Sequence, residues 1–295
     1  MARLRTGIEI TAGQIHAAQV RLTPAGWSLR ASATMSRSQS GEAIDADEAT
    51  ALESLLFRKG FQRTLCVVNA PESALRAATL PLPPPTSGAP IGQLARMEFA
   101  RHHKIDAGQF ELSYWPLPGT GPGVQVMALG CDVAPTDQRV AALESAGLCV
   151  AGVDDAARAL GRVVSRCPWT SGVRVGARLD PWGAMIVVLH DGVMLYTRRP
   201  VGLALRDPSD ASVASSIHSL ANEIDACVSF ARHRCRSHAP ATIGLFGLLG
   251  RHTMAREILE RRYGRSLAIA TTPDGTPFDV EYGAAIGLAL LEDAA

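Results

Sequence analysis

The sequence predicts an α/β protein of two domains with a cleft between them, and three observations carry that prediction. Residues 7–20 read GIEITAGQIHAAQV, a strand, a small-residue turn (Thr11, Ala12, Gly13) and a second strand from Ile15 to Val20. A comparable hairpin opens the second half, where strands at 174–179 and 184–189 are joined by Asp180-Pro181-Trp182-Gly183. Helical patterns follow each hairpin, so the halves open and close alike and form a weak internal duplication. With 295 residues, 47% hydrophobic and 19% charged, the chain has material for two ordinary cores. The expected division is a first domain over 1–172, interrupted by a small inserted α/β subdomain at about 83–150, and a second domain over 173–295.

Punctuation and periodicity give the elements in order. TLCVVN at 64–69 is a β-rich run closed by Ala70-Pro71. Leu80-Pro81-Leu82-Pro83-Pro84-Pro85 fits neither a helix interior nor a central strand, which places a subdomain boundary there. Pro90 opens a helix through His103, with Ile91, Leu94, Met97 and Phe99 at near-helical spacing. Strands at 109–116 and 124–132 flank the glycine-rich turn at 119–123, a helix at 135–146 stops at Gly147, and a strand ends at Val153. This series forms the insertion, and 154–165 is the helix returning to the first domain, capped by Asp154 and Asp155. In the second half Asp191-Gly192 turns the chain into a strand at 193–198. A long helix (211–236), a strand (241–247), a helix (251–263) and a last helix (282–291) follow.

Several function classes are disfavoured. The apolar stretches, such as 282–291, fall short of the roughly 18 to 20 residues of a membrane span. No basic leader and apolar run open the chain, because Glu9, Gln14 and His16 interrupt the first hairpin, so a cytoplasmic protein is expected, linked to the membrane through a partner. Cys66, Cys131, Cys149, Cys167, Cys227 and Cys235 include no C-x-x-C pair, which argues for reduced thiols. A net charge of +1 gives no field for nucleic acid. His233, Cys235 and His238, at offsets of two and five, do not share a helix face and read as a helix end rich in Arg232, Arg234 and Arg236 rather than a metal site. His102-His103-Lys104 likewise reads as a solvated helix end.

Six passages, in order, carry a family resemblance: GIEITAGQIHAAQV at Gly7, ALRAATLPLPP at Ala74, IGQLARMEFARHHKIDAGQFELSYWPLP at Ile91, VQVMALGCDVAPTDQRVAALESAGLCVAGVDDAARAL at Val124, DGVMLYTRRPVG at Asp191 and EYGAAIGLAL at Glu281. They resemble the PilM family, the cytoplasmic actin-like component of type IV pilus assembly, and its relatives in mannose-sensitive hemagglutinin pilus biogenesis and the cytoplasmic part of type II secretion protein L. The resemblance implies an actin-like (ribonuclease H-like) fold, with a second capping subdomain reduced here because the segment between Gly202 and Glu223 is short. It also implies a scaffold peripheral to the inner membrane. Such a scaffold would hold the tail of a PilN-like membrane protein in a groove between the first domain and its insertion, and link it to the assembly ATPase.

In the actin-like superfamily the first hairpin reads roughly D-x-G-[ST]-x-[ST]-K, bringing backbone N–H groups and a cation to phosphate. Here the corresponding positions hold Glu9, Thr11, Ala12, Gly13, Gln14 and His16. At the second hairpin, Arg178 and Asp180 stand where an Asp and a Gly are usual, with Gly183 after them, and Asp180 beside Pro181 would turn negative charge toward phosphate. The adenosine motif reads Gly247-Leu248-Leu249-Gly250, which puts Leu248 where the nucleobase needs room, and Glu223 completes the degenerate site. Glu9, without a lysine or a second Asp, reads as a turn residue. No catalytic residue, metal or cofactor is therefore expected, the alternative being a Mg-ATP-dependent switch in which Thr11, Gln14, His16 and Asp180 improvise a site. A sugar or acetate kinase would need a catalytic base and an intact phosphate loop, and neither is found. For a partner, Met97, Tyr114 and Trp115 are the candidate contacts, since aromatic side chains concentrate binding energy.

Overall fold

In the computed structural model, which describes residues 3–38, 41–118, 124–205, 210–236 and 241–291, the first strand β1 (Arg3–Ile10) is buried along its last six residues. Both of its faces are covered, which is why GIEI and its flanks need no polar side. It pairs antiparallel with β2 (Gln14–Thr23), which pairs antiparallel with β3 (Gly26–Ser36). Parallel pairing adds β4 (Leu65–Asn69) and then β8 (Cys149–Asp154), giving the order β3-β2-β1-β4-β8. On one face Leu52 and Leu56 of α1 (Ala46–Arg58) and Leu143 of α3 (Val133–Ser145) join Ile8, Ile10, Ile15 and Ala17 in one core. The expectation left 21–63 unassigned, and β3 and α1 fill it. Asp45 caps α1 by accepting the Glu48 N–H at 2.7 Å.

The second sheet repeats this plan. β9 (Val173–Asp180) pairs antiparallel with β10 (Gly183–His190), which is followed by β11 (Val193–Arg198), and pairs parallel with β12 (Thr242–Phe246). The order β11-β10-β9-β12 has the same senses as β3-β2-β1-β4, so the duplication read in the sequence is one of strand topology. α5 (Asp210–Cys235) and α7 (Thr253–Tyr263) cover one face through Val213, Ile217, Ile224 and Leu259, while α4 (Ala156–Arg166) lies on the other. A short α6 (Gly247–Gly250) follows β12, and α8 (Gly283–Ala289) packs on β1, β2, β4 and α4. The last helix of the expected second domain is thus packed with the first sheet, because its Gly and Ala residues fit the narrow space between β1 and α4. The segment between Gly202 and Glu223 contributes the start of α5 and no additional sheet among the described residues.

A third, three-stranded sheet, β5-β7-β6, is formed by β5 (Leu75–Leu82), β6 (Phe110–Pro116) and β7 (Val124–Asp132), covered by α2 (Ile91–His103). It spans 75–132 rather than the expected 83–150. Ala78, Leu80 and Leu82 alternate onto Ala95 and Phe99, so β5 belongs to the insertion, and β5 is an edge strand that tolerates Pro81. The strand ending near Val153, assigned to the insertion from sequence, instead extends the first sheet beside β4. The turn at 119–123 lies outside the described residues. No helix among the described residues is long and apolar enough to cross a membrane.

Candidate functional site

The two hairpins meet at their turns, and the charges there satisfy one another. Glu9 is a β1 residue paired with His16 across the hairpin and only 2% exposed, not the turn residue expected. Arg178, in the buried run of β9, donates through Nη1 to Glu9 and through Nε to Asp180. Asp180 is the buried end of β9 rather than a free tip, and its other oxygen accepts the backbone N–H of Leu248 at 2.8 Å. A Cβ on Gly247 would come within 2.4 Å of that carboxylate, and Gly247 has φ +70°, so this turn requires glycine twice over. The N–H that could meet a nucleotide is thus taken by the chain's own anion, and the carboxylates that could meet a metal are taken by its own cation.

Behind Glu9, His16 Nδ1 stands 3.7 Å from Glu9 and Nε2 stands 3.3 Å from Glu281, which also pairs with Arg251 at 2.6 Å. Burial alone would raise the Glu9 pKa, but the Arg178 charge and the facing His16 imidazole outweigh it and hold the carboxyl at about 2. Burial alone would lower the His16 pKa, yet its hydrogen bond to Glu281 and the Glu9 carboxylate beside it raise it to about 9. Arg178 pays a desolvation cost too, and Glu9 and Asp180 more than offset it, pushing its pKa above the ordinary arginine value.

The turn of the first hairpin is closed to a phosphate in a second way. A Cβ placed on Gly13 would fall 1.9 Å from the indole of Trp182, so the second hairpin's tryptophan lies directly on the first hairpin's backbone. The Thr11 hydroxyl is bound within its own turn, donating to the Gln14 carbonyl at 2.8 Å and accepting the Gln14 N–H at 3.1 Å. A cavity of about 420 Å³ remains, to which Glu9, Thr11, Ala12, Asp180, Gly183 and Trp182 contribute. Its lining holds five carboxylates (Glu9, Glu42, Glu72, Asp155, Asp180) against two guanidinium groups (Arg178, Arg199), a formal excess of three negative charges. Arg199 is committed as well, at 2.6 Å from Asp155 and 3.0 Å from Glu72. These residues do not fit Mg-ATP, because a polyphosphate would enter a field of its own sign. Glu223 is not part of the lining and pairs with Arg198, while Leu248 is part-exposed on α6. Trp182, Arg199 and Glu281 are site residues that the motifs do not point to, and Arg178, a departure from the motif in sequence, is the cation of the site.

A second concavity, about 430 Å³, lies between the first sheet and the insertion, lined by Leu75, Leu112, Leu129, Val133 and Val153 together with the charged Glu111, Asp137, Asp154, Asp155 and Arg158. Met97, Tyr114 and Trp115 do not line it. Met97 (64% exposed) is on α2 and Tyr114 (39%) on β6. Trp115 donates Nε1–H to the Met194 carbonyl at 2.7 Å and stacks under Arg158 at 5.1 Å, which ties the insertion to β11 and α4. Asp155 caps α4 through the Ala157 N–H at 3.0 Å, as expected, whereas Asp154 ends β8 and pairs with Arg158 and Arg162 instead. His238 lies outside the described residues, and no group of three or more His, Cys, Asp or Glu side chains positioned for a metal occurs among the described ones.

No family model matches the sequence, and no curated protein matches it. Among solved structures, the chain is similar to one from the PilM-PilN type IV pilus biogenesis complex, with 18% identity, a TM-score of 0.70 and 97% of each chain covered. It is also similar to the cytoplasmic domain of EpsL, an inner membrane component of the type II secretion system of Vibrio cholerae (12% identity, TM-score 0.50, 99% of this chain and 97% of that one). A third likeness is to the ethanolamine utilization protein EutJ from Carboxydothermus hydrogenoformans (12% identity, TM-score 0.50, 98% and 89%). The chain carries the α/β actin-like fold from end to end, and at the level of fold the PilM-like resemblance read from its sequence holds.

Proposed function

We propose that the chain is a non-enzymatic scaffold of a type IV pilus or related secretion assembly platform. In this reading it lies on the cytoplasmic side of the inner membrane, binds the tail of a PilN-like membrane protein, and links that protein to the assembly ATPase. It divides near residue 172 into two actin-like domains, with α8 returned to the first. The observation that carries the reading is the self-filled nucleotide site, in which Arg178 and Asp180 occupy the roles of cation and anion while Trp182 covers Gly13. The end-to-end likeness to the pilus complex chain supports the choice of system. The tail's place is the groove between the first sheet and the insertion, whose aliphatic walls suit an extended or short helical peptide.

Two measurements test this. Melting of the purified chain is expected to stay unchanged across millimolar Mg-ATP. A ligand at about 100 times its dissociation constant would add about 2.7 kcal/mol, roughly 5 to 10 °C for a chain of this size, and such a rise would restore the nucleotide-switch reading. A synthetic PilN-like tail is expected to bind, and Ser113→Trp, which fills the groove from an exposed position on β6, is expected to weaken it at least about tenfold with melting unchanged. No binding of the tail to the native chain at high micromolar concentration would remove the proposal's main support.

A further inference from the structure

Glu9 and Asp180 come from opposite halves of the chain, one from β1 and one from β9, and both are buried. A single guanidinium bridges them. Two carboxylates held this close to one another out of water require a cation where they lie, and removing it is far more costly than never having built the cluster. Glu9, Arg178 and Asp180 all border the 420 Å³ cavity, so the position of the guanidinium is reachable from solvent once the side chain is gone. The contact of Trp182 with Gly13 joins the same two hairpins by packing, independently of charge. The actin-like fold would lead one to expect an external metal here, and the disagreement lies in the arginine.

We propose that Arg178 is the resident cation of a site built from Glu9 and Asp180, one carboxylate from each half, and that it holds the two hairpins together without an external metal or nucleotide. Emptied of the arginine side chain, the same carboxylates take a small cation from solution. The orientation of the halves is therefore set by the sequence at position 178 and not by ligand concentration. An arginine that served only as packing would leave no such ion-responsive vacancy.

The test uses the full chain in thermal unfolding, with magnesium, manganese or guanidinium ions at low millimolar concentration and sodium chloride at matched ionic strength as control. The native protein is expected not to respond. Arg178→Ala is expected to melt about 10 °C lower, the scale for one partner stripped from a buried ion cluster, and to recover several degrees with magnesium, manganese or guanidinium but not with sodium. Glu9→Gln/Arg178→Ala, which removes one wall of the site, is expected to show no recovery. Melting of Arg178→Ala at the native temperature, no ion-specific recovery, or equal recovery in sodium chloride would each overturn the proposal. If Arg178→Ala does not fold, Glu9→Gln/Arg178→Met/Asp180→Asn, which removes all three charges and nearly keeps volume, is expected to fold; its failure would also overturn it. The tail-peptide titration reads the other groove, so the two proposals fail separately.

Discussion

Replacing Gly7 or Gly287 by valine is expected to destabilise the chain by at least about 3 kcal/mol, the upper range for overpacked cores, and to lower melting by roughly 6 to 12 °C. α8 is held between two backbones. A Cβ on Gly7 would lie 1.9 Å from the Ala285 carbonyl oxygen and 2.6 Å from the Ala289 nitrogen, and one on Gly287 would lie 1.9 Å from the Ala159 carbonyl oxygen. None of these atoms belongs to a flexible side-chain end. β1 is fixed by pairing on both sides, and α4 is packed on the second sheet as well as on α8. Relief therefore requires moving α8 by an ångström or more, which opens the core shared by Val20, Leu160, Val187 and Ile286. It would also shift Glu281, just before α8, away from His16. Alanine at either position should cost less, because the methyl is smaller and glycine's conformational entropy is recovered. Gly92→Ala, whose Cβ would meet only the Tyr114 hydroxyl at 3.7 Å, is the control and should not destabilise. Melting of both valine variants within a couple of degrees of the native chain would refute the backbone-contact account.

How much of this was legible in the sequence depends on whether the deciding contact is local. The two hairpins, the helix opened by Pro90 and the glycine stop at Gly147 were readable because turn chemistry and periodicity act over a few residues. β3 was not, since this edge strand gives the core little beyond Trp27 and Ala33 and reads as polar. α1 carries a local signal, Asp45 three residues before Glu48 and then Leu52 and Leu56 at helical spacing. Sheet membership is a different matter: the strand after α3 has the same pattern whichever sheet it joins, and only pairing with Leu65 to Asn69 decides it. At the site, the loss of the phosphate motif was plain from Ala12, Gln14 and His16. What replaced it was hidden, because Glu9 and Arg178 are 169 positions apart. One signal existed. In VRVGARLD Arg178 stands between Ala177 and Leu179 in a run suited to burial, and a buried arginine implies carboxylate partners, of which Asp180 is local and Glu9 is not.

The second large effect is a dependence of stability on pH that His16 governs on the alkaline side. Its pKa is about 9 in the folded chain against an ordinary 6.5, so the folded state holds a proton that the unfolded state releases. The stabilisation is fully present below about pH 6.5 and is lost as pH rises through about 9, by roughly 3 kcal/mol in all. Glu9 acts on the other side: held at about 2 against 4.5, it contributes stability above pH 4.5 that is lost as pH falls toward 2. A plateau between about pH 4.5 and 6.5 is expected, with a decline on each side. His16→Gln should flatten the decline between pH 6.5 and 9 and also shrink the acid limb, of which Arg178 carries the larger part, whereas Glu9→Gln should remove most of the acid limb and also shrink the alkaline one, since each group helps keep the other charged. The buried thiols do not obscure the window. Burial pushes Cys66 up to about 12 and Cys167 and Cys227 to about 11 from 9.0, so their own loss of stabilisation begins only above pH 9. Urea unfolding of the three proteins at closely spaced pH values reads both limbs, and an unchanged alkaline slope in His16→Gln would mean that the native imidazole is neutral and that Arg178 alone balances Glu9.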